Sequence, residues 1–262
     1  MISINHPRHL VAGLLATALL ASVATAPVVA QTAPKGIKNI VLVHGAFADG
    51  SSYAKIIPLL EAKGYHVTAV QNPLTSLADD VAATKRTLAQ QDGPVLLVGH
   101  SWGGMVISDA GNDPKVAGLV YIAATAPDPN QSLGELTKDA PTPGLKKTQM
   151  NAGYISLTTQ GIIEDFAQDL PLAERRIMAA TQQPVAAVAF GDKMATVAWQ
   201  TKPSWYIVAS QDHMISPVLE AAMAQKIKAT TLTLNTSHVP MLSQPGKVAA
   251  FIEAAAQKAS AQ

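Results

Sequence analysis

Val95-Leu96-Leu97-Val98-Gly99-His100-Ser101-Trp102-Gly103-Gly104 is the stretch on which the fold of this chain turns. Val95 to Val98 is a short, continuously apolar run with β-branched ends, as a strand buried on both faces requires. Gly99-His100-Ser101-Trp102-Gly103 then sets a serine between two glycines, and helical sequence runs from Trp102 towards Gly111. A serine at so sharp a strand-to-helix turn adopts strained backbone angles, and neighbouring backbone passes too close for a Cβ on either flank. The strain lifts the hydroxyl above the sheet at a helix N-terminus, where the dipole favours developing negative charge. G-x-S-x-G by itself arises by chance in roughly one chain in ten of this length. Its setting between strand and helix, with Gly104 directly behind, carries the inference.

Working outward, the same alternation holds on both sides. Ile40–Val43 and His66–Val70 read as strands. Between them Ser51 or Ser52 can cap a helix bearing Tyr53, Ile56 and Leu60, kinked or partly unwound at Pro58 and stopped by Gly64. Ser76 caps a further helix through Leu77, Val81, Thr84 and Leu88. Val116–Ala123, Trp205–Val208 and Thr231–Leu234 complete the strands, with helices at 217–227 and from Pro245, the last burying Val248, Phe251 and Ile252. Strands separated by helices of this length pair in parallel through right-handed crossovers, giving an α/β sheet with helices on both faces. The rhythm breaks between about 128 and 201, where six prolines from Pro127 to Pro184 accompany residues suited to short helices. Phe166 with Leu170, and Ile177 with Met178, offer two brief apolar faces. This insertion is expected to form a helical cap over the C-terminal edge of the sheet.

The chain has 262 residues, a formal net charge of +1 and no clustered Lys and Arg, so nucleic acid and acidic membranes are not expected partners. Without cysteine, thiolate catalysis and Cys-ligated metals are excluded, and the seven histidines show no H-E-x-x-H spacing, so no metal site is expected. Arg8, the apolar run Leu10–Val23 and Val28-Val29-Ala30 resemble a secretory signal cleaved after Ala30. The run is too short to span a bilayer comfortably, since spanning takes roughly 20 residues. Residues 1–30 are therefore read as a signal peptide and 31–262 as one domain with its cap, exported to the periplasm or secreted, without a stable membrane anchor. Monomer and homodimer both stay open.

A hydroxyl is a poor nucleophile near neutral pH and needs a base oriented by a third group. His238 follows the last expected strand and Asp212 the one before it, so both lie in loops at the edge that carries Ser101. Serine, acid, histidine is also the order found along hydrolases built on such a sheet. His213 as base and Asp128 as acid are the lesser alternatives. His44 and His100 read as structural hydrogen bonders and His66 as a surface residue. Two backbone N–H groups should stabilise a developing oxyanion: that of Trp102, and that of Ala46 in preference to Phe47.

Val41-Leu42-Val43-His44-Gly45-Ala46, Pro58-Leu59-Leu60-Glu61-Ala62, Gly99-His100-Ser101-Trp102-Gly103-Gly104 and Ser237-His238-Val239-Pro240-Met241-Leu242 together resemble α/β-hydrolases close to plant methylesterases and hydroxynitrile lyases. Many exported bacterial hydrolases are similar. The likeness runs from about Ile40 to Phe251 but leaves the cap without a match. It implies a Ser–His–Asp triad at Ser101, His238 and Asp212, Ala46 in the oxyanion hole, and ester hydrolysis without a cofactor. The hydroxynitrile lyases carry a lysine after the catalytic histidine; Val239 stands there instead, which argues against that chemistry. The expected function is a carboxylesterase for small to medium, largely apolar esters. Action on a lactone, amide or carbon–carbon bond is the alternative, and a non-catalytic ligand-binding protein the rival of another class. Phe47, Phe166, Phe190, Met194 and Trp199 either line the substrate pocket or, for those in the cap, form its own small core.

Overall fold

The computed structural model describes residues 1–3 and 36–259, the latter within the compact unit Gln31–Gln262. The signal sequence and its cleavage near Ala30 lie outside the described residues.

Six strands, β1 Asn39–Val43, β2 His66–Val70, β3 Val95–His100, β4 Val116–Ile122, β8 Ser204–Ala209 and β9 Thr230–Leu234, form one sheet in the order β2-β1-β3-β4-β8-β9. Every pairing in it is parallel. β1, β3 and β8 are buried along their whole length, which is why their sequences are continuously apolar rather than alternating. The intervening strands β5 Thr148–Asn151, β6 Tyr154–Leu157 and β7 Val185–Ala186 make a separate antiparallel sheet. The helices are α1 Ile57–Glu61, α2 Leu77–Ala89, α3 Gly103–Ala110, α4 Leu133–Thr137, α5 Thr159–Gly161, α6 Leu172–Thr181, α7 Pro217–Lys226, α8 Pro240–Ser243 and α9 Pro245–Ala259.

The strand order explains where a site can form. From β1 the chain steps one way to β2, then returns past β1 to β3 and onward to β4. With right-handed crossovers, that reversal puts α1 on one face and α2 and α3 on the other, and α2 packs against α3 while α1 packs against α9. The loops leaving β1 and β3 therefore diverge, opening a crevice at the C-terminal edge of the sheet. His44 to Phe47 and Ser101 sit there.

Local details depart from the sequence expectations at identifiable points. The helix expected from Ser51 or Ser52 is split: Asp49, not a serine, caps a 3₁₀ turn at Gly50–Tyr53, and Pro58 stands in the first turn of α1. Proline fits there because its missing N–H would have had no intrahelical partner. Ser76 caps α2 as expected, its hydroxyl accepting from the Asp79 N–H. The insertion is not purely helical. In its three-stranded sheet, β5 and β6 are joined by a two-residue hairpin turn at Ala152 and Gly153, with φ of 48° and 83°. Alanine in a position that usually takes asparagine or aspartate hides the turn from sequence. Phe166 and Leu170 are buried as expected, whereas Ile177 is exposed.

At the turn after Ser101, neighbouring backbone leaves no room for a side chain. A Cβ on Gly103 would lie 2.3 Å from the Val43 carbonyl oxygen, and one on Gly104 would lie 2.2 Å from that of Thr125. Neither neighbour can yield without moving a sheet strand or its exit loop. Gly103→Ala is expected to cost about 3 kcal/mol of stability. Gly191→Ala, where nothing lies within 4 Å, should leave the urea midpoint near the wild-type value. Equal midpoints for the two variants would contradict this account of the turn.

Candidate active site

Ser101 has φ of 53°, the left-handed region a non-glycine residue enters only when its surroundings enforce it. Its N–H donates to the Ile122 carbonyl at 3.2 Å, and its own carbonyl accepts from Gly104 and Thr125 N–H groups at 2.9 and 3.2 Å. The backbone is thus locked to β4 and its exit loop while the hydroxyl side stays half-open.

Asp212 and His238 arrive from the loops after β8 and β9. His238 Nδ1 and Asp212 Oδ2 are 2.5 Å apart, and both side chains are buried. Asp212 Oδ1 accepts from the N–H groups of Met214 and Ile215 at 2.6 and 2.9 Å. A carboxylate accepting from Nδ1–H fixes the imidazole tautomer and leaves Nε2 as a proton acceptor. His238 and Ser101 border one cavity of about 140 Å³.

The other histidines have separate tasks. His100 Nε2 lies 2.7 Å from the His238 carbonyl, so that nitrogen carries the proton and ties the His238 loop to the serine turn. Burial, reinforced by nearby His238, holds its pKa well below the usual value, so the ring is neutral. His44 accepts the Asn72 N–H at Nε2 and faces the Gly45 carbonyl with Nδ1, both at 2.9 Å; burial lowers its pKa as well. His213 turns away from Asp212 to pair with Asp165 at 3.1 Å, and Asp128 pairs with Lys226 at 3.1 Å on a half-exposed surface. Each side chain is thus engaged with a partner other than Asp212 and His238. His66 is exposed at the start of β2.

The insertion supplies one wall of the site. A π-helical turn, Ile162–Phe166, sets the Phe166 ring edge-on to His238 with centroids 5.1 Å apart. Asp169 accepts from the Ser237 N–H and from the Ser243 hydroxyl, both at 2.9 Å, clamping the His238 loop on either side.

Ala46 and Trp102 both border the cavity, and among the described residues no acceptor takes either backbone N–H. The remaining lining is apolar apart from Thr125 and Thr137. Phe47, Phe166 and Phe190 belong to it. Met194 and Trp199 do not, and the pocket expected from sequence is corrected there. Met194 is buried, its carbonyl holding the Asn130 N–H at 2.7 Å. Trp199 donates its indole N–H to the Pro127 carbonyl at 2.8 Å, with the Lys226 ammonium over its ring. The lining also includes Leu133, Gly134 and Thr137 of α4, together with Leu145, Met214 and Ile215. The Ser132-x-x-Glu135 capping box marks α4 in the sequence, but nothing local says that its face looks into a cavity.

A parallel sheet with a strained serine at its C-terminal edge and a buried Asp–His pair beside it defines the class of α/β-hydrolases. The chain belongs to the alpha/beta hydrolase family, whose model matches residues 40–251. It is 30% identical over 248 residues to a pyrethroid hydrolase of Sphingobium wenxiniae, covering 82% of this chain and 86% of the relative. It is 23% identical over 248 residues to methylesterase 8 of Arabidopsis thaliana, covering 85% and 91%. The crystal structure of a pyrethroid hydrolase from Sphingobium faniae superposes with a TM-score of 0.71 at 26% identity, over 86% of this chain and 98% of that one. The chain is a hydrolase of the esterase branch of this family. Among the described residues, no helix is long and apolar enough to cross a membrane.

Asp80 of α2 supports the site from below. It accepts the Trp102 indole N–H at 2.7 Å and the Leu74 N–H at 2.8 Å, and Trp102 in turn packs on Phe190. Burial outweighs these two donors and pushes its pKa up to about 6, from an ordinary 3.8. A carboxyl raised on folding contributes stability that is complete below 3.8 and is lost as pH rises through about 6. Stability measured by urea unfolding should therefore fall across that window in the wild type, relative to Asp80→Asn. Parallel stability–pH curves for the two proteins would refute the assignment.

Proposed function

We propose that the protein is a carboxylesterase for small to medium, largely apolar esters, acting through an acyl-enzyme at Ser101. The observation that carries this reading is the buried Asp212–His238 pair, which shares one cavity with the strained serine and two unpaired backbone N–H groups. Ser101 Oγ attacks the ester carbonyl carbon while His238 Nε2 takes its proton. Asp212 stabilises the resulting imidazolium, and the N–H groups of Ala46 and Trp102 receive the oxyanion. Collapse breaks the C–O bond, and the imidazolium returns its proton to the leaving alkoxide. Water, deprotonated by the same imidazole, then attacks the acyl carbon and releases the acid and the free serine. The sequence consumes only ester and water and calls on no cofactor or metal.

The lining favours apolar groups, and the volume sets their size. A cavity of about 140 Å³ is close to the roughly 150 Å³ that accommodates benzene in an apolar protein interior. The buried part of the cavity beside Ser101 thus suits a group of about the size of one six-membered ring. Similarity to a pyrethroid hydrolase and a plant methylesterase supports ester substrates. Buried Val239, next to the histidine, offers no ammonium to stabilise cyanide, so the lyase chemistry is set aside. The N-terminal sequence supports export, with the mature chain acting outside the cytoplasm.

Ser101→Ala should lower kcat/KM for short p-nitrophenyl esters by at least ~10³-fold, and a fluorophosphonate should label the wild type but not this variant. Unchanged hydrolysis would defeat the mechanism, and an unlabelled wild type that binds but does not turn over would return the protein to ligand binding. Comparing kcat/KM for ester, lactone and amide substrates separates the ester reading from its neighbours.

Cavity size makes a second prediction. A Cβ at Gly134 would lie 3.5 Å from its nearest neighbour, an ordinary contact, so a side chain can be added there. Gly134→Val should reduce kcat/KM for phenyl-sized acyl groups by roughly 10-fold or more while sparing acetyl esters. Equal losses for both would place the acyl group elsewhere.

A further inference from the structure

Behind Asp212 lies a second carboxyl group that the mechanism above does not use. Glu220, in the first turn of α7, is fully buried. Its Oε2 accepts the Ala209 N–H at 3.0 Å, while Oε1 is buried and no donor reaches it. The Asp212 carboxyl lies close enough to interact with Glu220 electrostatically. Among the described residues, no cation pairs with Glu220.

The titratable groups that interact with it are Tyr206 and Asp212. β8 presents the Tyr206 hydroxyl, which donates to the Ala124 carbonyl, and the loop beyond β8 presents Asp212. His238 lies on the far side of Asp212. On α7 itself Lys226 points outward to Asp128.

Counting lone pairs suggests what Glu220 does. An ionised carboxylate offers about four acceptor sites. Asp212 uses three of them, on the N–H groups of Met214 and Ile215 and on His238 Nδ1. One site remains, and Glu220 Oε1 is a buried oxygen that no donor reaches among the described residues. Two adjacent buried carboxylates cannot both hold a charge, and a shared proton resolves the conflict.

We propose that Glu220 is a positioning residue, kept protonated so that its carboxyl donates a hydrogen bond to Asp212 and holds Oδ2 towards His238. The carboxyl pair then carries a single negative charge. Burial, and then the charge of Asp212, raise the pKa of Glu220 well above the ordinary carboxylate range, in keeping with this arrangement. The inference rests on the reading of Asp212 and His238 as the acid and base of the site.

Two substitutions and one spectrum test it. Glu220→Gln keeps a neutral donor and should retain kcat within about threefold, with the acid limb of the kcat/KM–pH profile unmoved. Glu220→Leu removes the donor and should lower kcat by roughly 10-fold or more. It leaves Asp212 a stronger acceptor, so the imidazolium is favoured and the acid limb moves to higher pH. Were Glu220 ionised, Glu220→Gln would delete a negative charge and move that limb to lower pH, which overturns the proposal, as would a Leu variant identical to wild type.

The infrared spectrum supplies a readout independent of activity and of tolerance to leucine. At neutral pH the wild type and Ser101→Ala should both show the carbonyl stretch of a buried protonated carboxyl, and Glu220→Gln should lose it. Its absence from the wild type refutes the proposal even if Ser101 proves to be the nucleophile. Loss of the ester mechanism with the band intact would refute only the catalytic reading.

Discussion

A carboxylate taken out of water must find its hydrogen bonds inside the protein, and Asp212 is the group around which this site is arranged. Satisfying it fixes the turn that supplies Met214 and Ile215 N–H groups, the rotamer and tautomer of His238, and the relative height of the loops after β8 and β9. The parallel pairing of β8 with β9 brings those two loops to the same edge. Asp212 and His238 are therefore neighbours because their strands are neighbours.

The serine is held by a different device. Its angles are unfavourable in isolation, and the turn persists because Gly103 and Gly104 let two segments of backbone come within a distance that any side chain would prevent. The His44–Ala46 turn is seated against Ser101 in the same way, where a Cβ on Gly45 would lie 2.7 Å from the Ser101 Cβ. His100 then connects the two devices, since its ring sits in the serine turn and its proton goes to the His238 carbonyl. The insertion adds Phe166 and Asp169 to the surroundings of His238.

Much of this was legible in the chain because buried parallel strands demand continuous apolar runs and because a tight turn demands glycine. The strands of the main sheet, the Ser76 cap and the serine turn follow from such local requirements. The insertion was less legible: its hairpin turns on Ala152 where asparagine would have signalled it, and its strands are as short as two residues. Met194 and Trp199 carry the composition of a pocket, yet their surroundings differ. An aromatic or methionine side chain satisfies a core as readily as a cavity wall, and only neighbours distinguish the two.

Sequence by itself determined the sheet, the chain positions of serine, carboxylate and imidazole, and the restriction to an α/β architecture, because those depend on periodicity and on residues within a turn of one another. Tertiary structure alone decided that His213 faces Asp165 rather than Asp212, that α4 looks into the cavity, and that Glu220 stands behind Asp212. Those are contacts between groups brought together by long-range packing. The free energy that sets them comes from burial and from the pairing of polar groups across elements, and neither is encoded in local spacing.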